Sequence, residues 1–255
     1  MHTQKMIDDM HMNIMFGADC VIGDTAQNNF PPIDPKHTEA AKQHEQSPHQ
    51  PEIGGAIAAR VQAERLASGA NSLPELQDAL KEFTGCGLAH TATNRVFFSG
   101  NTAPKLLIIG DCPDAQEDRK GEPFLGPAGQ LLHKILGYIA LDKADIMQVH
   151  VVFWRPPGNR TPTDEEVRLC QPFIHRLIML ANPQYVLAVG QLAALSIWNE
   201  QTPINRLRGT KRDIALGDQT IPSLITFQPS ALLGNPILKR ACWADMLVLQ
   251  KLLQG

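Results

Sequence analysis

The stretch that decides the fold is KLLIIGDCPDAQEDRKGEPFLGPAG, residues 105–129. It begins with the apolar run Leu106–Gly110, which has no polar break and is typical of a buried strand in a parallel sheet. A polar turn, Gly110–Asp114, follows this run. Next come a loop in which Phe124 stands among glycines and prolines, and an amphipathic helical pattern from Leu131 onward. Ligands bind at the carboxyl ends of strands in open α/β sheets, so the two loops form a candidate site. Ordinary strand-to-helix connections remain the alternative.

The remainder of the chain repeats this alternation of strand and helix. Further strands are predicted at 95–98, 146–153, 185–189 and 223–227, with helices at 73–83, 163–180, 192–198 and 237–253. Strands that alternate with helices predict a parallel sheet covered on both faces, which is an α/β fold.

Composition divides the chain into three parts. Residues 1–53 are rich in His, Gln, Asn, Asp and Pro and predict a disordered tail. Residues 54–79 predict a helical lead-in, and residues 80–255 the globular domain. The net charge of −3 neither favours nor excludes nucleic acid as a partner.

The cysteines and the apolar runs limit the class of protein. The five cysteines are scattered and form no CxxC pair, so neither a disulfide framework nor a structural zinc site is indicated. No apolar run has the length of a membrane span, and the N-terminus lacks a signal pattern. A cytoplasmic protein without membrane contact is therefore expected.

Four motifs carry a resemblance to a known family. They are GDCPDAQEDRKGEPFLGPAG (110–129), WRPPGNRTPTDEE (154–166), LRG (207–209) and QPSALLGNP (228–236). In order and spacing they resemble the uracil-DNA glycosylase superfamily, bacterial family 4 type, over residues 80–253. The resemblance implies a three-layer α/β/α domain with a central four-stranded parallel sheet. It also implies base excision from uracil-containing DNA, single- or double-stranded, and we expect a monomer.

The resemblance assigns roles in base excision to residues of the loops. Asp111 would orient the attacking water, and Gln228 would donate a hydrogen bond to the departing base. Phe124 would stack on the flipped base, for which core packing is the alternative. The other residues expected to contact the base are Gly110, Cys112 and His150.

A second set is expected to contact DNA outside the base pocket. Arginines would neutralise phosphates, and apolar side chains would fill the gap left by the flipped nucleotide. The candidates are Arg155, Arg160, Arg208, Ser230, Leu232 and Leu233. For a single arginine the alternative is a solvated surface charge, and for the leucines it is a buried pair.

The chain departs from the family pattern at four positions of the site. Asp111 replaces a glutamate, Asp114 a glycine, His150 an asparagine and Gln228 a histidine. A neutral glutamine can donate a hydrogen bond but cannot carry positive charge. Two hypotheses follow: a glycosylase with reduced or altered activity on uracil or a related deaminated base, or an inactive DNA- or partner-binding protein on a glycosylase scaffold.

The resemblance also implies an iron–sulfur cluster, but this chain keeps only some of the cluster's ligands. Cys86 and Cys170 match two of its four cysteine ligands, whereas Phe83 and Trp154 occupy the other two positions. Four thiolates normally hold such a cluster. We therefore predict no metal or cofactor, with apolar packing in place of a 4Fe-4S cluster and the two thiols close together.

Overall fold

The computed structural model describes residues 53–254. The predicted disordered tail lies outside this range, apart from Ile53, where the first helix begins. Among the described residues, no helix combines the length and the apolar character needed to cross a membrane.

Helices and strands alternate along the described chain. The α-helices are α1 (Ile53–Gly69), α2 (Leu73–Glu82), α3 (Ala115–Lys120), α4 (Gly126–Tyr138), α5 (Asp164–Ala181), α6 (Gln191–Trp198), α7 (Ile204–Leu207), α8 (Pro229–Gly234) and α9 (Leu238–Leu253). The strands are β1 (Phe98–Gly100), β2 (Leu106–Gly110), β3 (Ile146–His150), β4 (Tyr185–Val189), β5 (Lys211–Leu216) and β6 (Gln219–Thr226).

The strands form one mixed sheet in the order β1-β3-β2-β4-β6-β5. Its four central strands, β3, β2, β4 and β6, are parallel. The predicted central sheet of four parallel strands is therefore present, and the whole sheet has six strands because an antiparallel strand extends each edge. On one edge, β5 and β6 form a hairpin joined by residues 217–218, where Gly217 has the positive φ of 58° that such short turns favour.

Helices cover both faces of the sheet, which confirms the α/β/α class. All five residues of β2 are buried. Leu107 and Ile109 pack in a cluster with residues of α1, α2, α5 and α6. Leu106 and Ile108 pack on the opposite face with residues of α4, α8 and α9. Alternate residues of the strand therefore contribute to two separate hydrophobic cores.

Candidate active site

A cleft of about 330 Å³ opens beside the carboxyl ends of β2, β3 and β6. Segments distant in sequence meet there, as the position of the loops predicts for an open α/β sheet. The predicted site residues that line it are Asp111, Cys112, Phe124, His150, Arg160, Gln228 and Ser230.

Asp111 lies directly after β2 and points at the beginning of α6. Its side chain accepts a hydrogen bond from the backbone N–H of Ala193 at 3.0 Å. A Cβ atom on Gly190 would lie 2.3 Å from the carboxylate, so only glycine allows this approach. Burial raises the pKa of Asp111 from 3.8 to about 6, although backbone N–H groups of α6 and the nearby His150 oppose the rise. The carboxylate thus changes charge close to neutral pH.

Phe124 and His150 form a stacked pair on the wall of the cleft. Their ring centroids are 4.7 Å apart, with an angle of 24° between the planes. The pair stands over Gly110, where a Cβ atom would lie 2.6 Å from both rings. Phe124 is only 6 % exposed. The imidazole therefore covers a face of the ring on which a flipped base was expected to stack.

Glu117, which the sequence analysis did not single out, anchors His150. Its Oε2 lies 3.1 Å from Nε2 of His150 and accepts the N–H of Asp114 at 2.8 Å. Burial opposes the negative charge on Glu117, but the hydrogen bond with His150 helps to hold its pKa below the usual value. Since a carboxylate only accepts hydrogen bonds, Nε2 of His150 carries a proton. Nδ1 of the same ring is buried and finds no hydrogen-bond partner among the described residues.

Asp114 caps α3 at the entrance to the cleft. Its carboxylate accepts the N–H groups of Gln116 at 2.7 Å and Glu117 at 2.9 Å. Glu117 returns a bond to Asp114, which completes a capping box. The pattern Asp-x-x-Glu at 114–117 is the sequence signal that points to both residues.

Gln228 and Ser230 line the cleft from the side of β6. Gln228 follows the strand and is the N-terminal flanking residue of α8. Its side chain is neutral, so the cleft has no cation at this position.

The predicted DNA-binding arginines differ in their surroundings. Arg160 lines the cleft and forms a double hydrogen bond with Glu166, at 2.8 and 2.6 Å. Arg155 lies outside the lining, and its Nε donates to Asn159 at 2.7 Å.

Arg208 is part of an internal network instead. It forms an ion pair with Asp245, whose other hydrogen-bond donor is Thr226 at 2.7 Å. Its guanidinium also donates to the carbonyl of Ala241 at 2.6 Å. These contacts connect the 207–209 motif to α9 and leave Arg208 outside the cleft lining.

The two leucines of α8 are placed differently. Leu232 is 1 % exposed and packs in the core, whereas Leu233 is 45 % exposed. Ile237, which the sequence analysis did not consider, follows α8 and is 84 % exposed. Leu233 is therefore the accessible leucine of α8.

The positions that the sequence analysis matches to the family's cluster ligands hold a packed aromatic core. Phe83 lies 5.3 Å from Phe173 and 6.3 Å from Trp154, measured between ring centroids. Cys86 and Cys170 are adjacent: an interaction between the two thiols lowers the pKa of Cys86, while burial raises that of Cys170.

These residues do not fit an iron–sulfur cluster. Two thiols are too few, and the aromatic rings fill the remaining space. Among residues 53–254, no three His, Cys, Asp or Glu side chains are grouped so that they could hold a metal ion.

Comparison with known proteins agrees with this fold. The family model described as the uracil DNA glycosylase superfamily matches residues 97–247. The type-4 uracil-DNA glycosylase of Archaeoglobus fulgidus is 33 % identical over 180 residues, which are 68 % of this chain and 90 % of the relative. That of Thermotoga maritima is 35 % identical over 161 residues, 63 % of this chain and 82 % of the relative. The chain belongs to the uracil DNA glycosylase superfamily.

Proposed function

We propose that the chain is a DNA N-glycosylase of the uracil-DNA glycosylase type, which hydrolyses the bond between sugar and base at uracil or a related deaminated base. The observation that carries this proposal is the meeting of Asp111, Phe124 and Gln228 in one cleft. They come from three separate loops and have the roles that base excision requires: a carboxylate, an aromatic face and an amide donor.

The reaction begins when the target nucleotide leaves the DNA stack. Arg160 and Ser230 at the cleft would hold the phosphates on either side, with Arg155 nearby. Leu233 would fill the gap in the stack. Asp111 would orient a water toward C1′ and stabilise the positive charge that develops on the sugar. The amide of Gln228 would donate a hydrogen bond to the departing base.

The cleft would perform this reaction on uracil with altered efficiency. Where the family has asparagine, whose amide offers an acceptor and a donor side by side, His150 places its two ring nitrogens on separate edges, and Nε2 already pairs with Glu117. Gln228 gives a hydrogen bond without charge. Losing a charged donor at a developing anion costs roughly a hundredfold in rate.

The alternative is an inactive DNA- or partner-binding protein. One observation favours it: Phe124 is only 6 % exposed because His150 covers its ring. A base could then reach Phe124 only after the imidazole moves.

We further propose that the protein works in the cytoplasm as a monomer, without an iron–sulfur cluster or another cofactor. The packing of Phe83 and Trp154 supports the absence of the cluster.

An excision assay tests the proposed function. The full chain is incubated with single- and double-stranded oligonucleotides that contain one uracil, and abasic sites are cleaved with alkali. Cleavage at uracil that disappears in Asp111→Ala supports the glycosylase. A folded protein that binds these oligonucleotides but releases no base supports the alternative.

A further inference from the structure

One face of the last helix, α9, is open to solvent along its whole length. The exposed residues, which are three or four positions apart, are Ile237, Arg240, Ala244, Leu247 and Lys251. Ile237 precedes the helix but has helical backbone angles, φ −59° and ψ −31°, so it continues the same face. Residues with this spacing lie on one side of a helix. We call these five residues the α9 face, and they extend over roughly 21 Å.

Two aromatic side chains enlarge the apolar part of the α9 face. Trp243 of α9 is half-buried and contacts the ring of Tyr138 of α4 edge-on, with centroids 6.4 Å apart. Tyr138 is 53 % and Leu247 39 % exposed. Single exposed apolar residues are normal in a folded protein, whereas a contiguous patch of them is typical of an interaction surface.

The charged residues around the α9 face have one sign. Arg240 and Lys251 belong to the face, and Lys134 is exposed on the neighbouring helix α4. No acid on either helix balances them at the surface. Helix α4 contains no Asp or Glu, and the one acid of α9, Asp245, is buried and paired with an arginine.

Other surface helices of the protein differ in this respect. On α1, Arg60 pairs with Glu64 at 3.2 Å, and on α2, Lys81 pairs with Asp78 at 2.6 Å. Neighbouring charges of opposite sign are typical of a helix face that stays in water. The α9 face instead combines cations with apolar side chains. Its complement is a surface on which acids surround an apolar stripe.

The position and the apolar centre of the α9 face favour a protein over nucleic acid as its partner. The helix ends near the start of β4, where the hydroxyl of Tyr185 donates to the carbonyl of Leu252 at 2.5 Å. This end lies at the opposite edge of the sheet from the cleft, which is beside the carboxyl ends of the strands. Ala244 and Leu247, between the two cations, offer no donor to a phosphate, whereas nucleic-acid backbones require rows of cations.

We propose that the α9 face docks an acidic amphipathic helix of a partner protein. The spacing of the face suits a second helix packed alongside it, and the small side chain of Ala244 allows the two helices to approach closely. Trp243 and Tyr138 supply aromatic contacts of the kind that dominate such interfaces. A contact of about four helical turns is small, so the complex is transient. No residue of the α9 face lines the cleft, so docking does not depend on the glycosylase function.

The test uses a designed peptide as the probe. It is a fluorescein-labelled helix of about three heptads, with leucine at the a and d positions and glutamate at most others. Its binding to the full chain is measured by fluorescence anisotropy at low salt. We expect binding that weakens at least about tenfold when salt is raised to about 0.5 M, because salt screens exposed charges. A peptide of the same composition in scrambled order lacks the apolar stripe and should bind at least about tenfold more weakly.

Two matched variants locate the binding. Ala244→Glu puts a negative charge in the middle of the α9 face and should weaken peptide binding at least about tenfold. Ala58→Glu makes the same change at an exposed alanine of α1 and should leave binding unchanged. Both variants should fold, because glutamate is a good helix former and both positions are exposed. Thermal melts provide this check.

Several results would overturn the proposal. One is a failure of the acidic peptide to bind, or binding that the scrambled order or Ala244→Glu leaves unchanged. Another is an oligonucleotide that displaces the peptide and is itself weakened by Ala244→Glu, which would make the face a nucleic-acid surface. A dimer in analytical ultracentrifugation that Ala244→Glu abolishes would make a second copy of the chain the occupant. The excision assay has a separate readout, so its failure would leave the docking proposal intact.

Discussion

Two aromatic regions of this molecule contain positions at which the sequence analysis predicts departures from the family pattern, and the two regions differ in their packing. Around Phe83, the rings close into a core in which Phe83 is 2 % and Trp154 4 % exposed. In the cleft, His150 forms a hydrogen bond with the buried carboxylate of Glu117. The first region is tightly packed and apolar, whereas the second contains a buried carboxylate and a ring nitrogen that has no hydrogen-bond partner among the described residues.

This difference in packing indicates that the core around Phe83 contributes to stability, whereas the cleft around His150 contributes to function. Residues that do not bind a ligand can pack closely through apolar contacts, and such packing stabilises the fold. Buried carboxylates cost free energy and persist where chemistry needs them. The comparison therefore indicates a chemical role for the cleft and a stabilising role for the aromatic core around Phe83.

The largest effect is expected for Phe83→Ala. Truncating a fully buried phenylalanine should lower the free energy of unfolding by about 3–5 kcal/mol, measured by urea denaturation. The control Leu233→Ala removes an exposed side chain and should change it by no more than about 0.5 kcal/mol. A loss below about 1 kcal/mol for Phe83→Ala would show that this region is not tightly packed.

The next effect concerns Asp111 and pH. Between pH 3.8 and about 6 the unfolded chain releases a proton that folded Asp111 retains, so stability falls as pH rises through this window. Asp111→Asn should therefore stabilise the protein by roughly 2–3 kcal/mol at pH about 7.5 and by almost nothing at pH about 3.5. Urea midpoints of both proteins across this range provide the measurement. Equal stabilisation at both pH values would contradict the raised pKa.

A smaller effect, within the error of a thermal melt, is expected when iron and sulfide are supplied to the protein. Protein purified under anaerobic conditions with added iron and sulfide should contain no stoichiometric iron and should melt at the same temperature as protein prepared without them. Four iron atoms per chain would contradict this expectation, because they would show that the aromatic region binds a cofactor.

The smallest effect is expected for the N-terminal tail. Deleting residues 1–53 should leave the melting temperature nearly unchanged, since this segment has too few apolar residues to add to a core. A marked drop in a thermal melt would show that the tail packs on the domain.

The sequence predicted the elements that depend on local pattern. The unbroken apolar run at 106–110 indicated a central strand, and the loops after it indicated the cleft that now contains Asp111 and Phe124. Edge strands were harder to predict from the sequence. Strand β1, for example, has three residues, which are too few to show the alternation of apolar and polar residues that is typical of a strand.

Long-range pairings escaped the sequence analysis. Glu117 and His150 are 33 positions apart, and Arg208 and Asp245 are 37 apart. No local pattern connects such residues, because their contact exists only after the strands and helices have packed. The pairing of Arg208 with Asp245 could therefore not be predicted from the sequence.

The most direct test of the account restores the family residues in the cleft. Single-turnover excision of uracil is measured for the unmodified protein, His150→Asn, Gln228→His and the double variant. The double variant should excise uracil faster by a factor on the order of a hundred, and each single variant by less, because base placement and leaving-group stabilisation act in one transition state. Adding Asp111→Ala should abolish the gain. A double variant that folds and binds DNA, yet excises uracil no faster than the unmodified protein, would contradict the account.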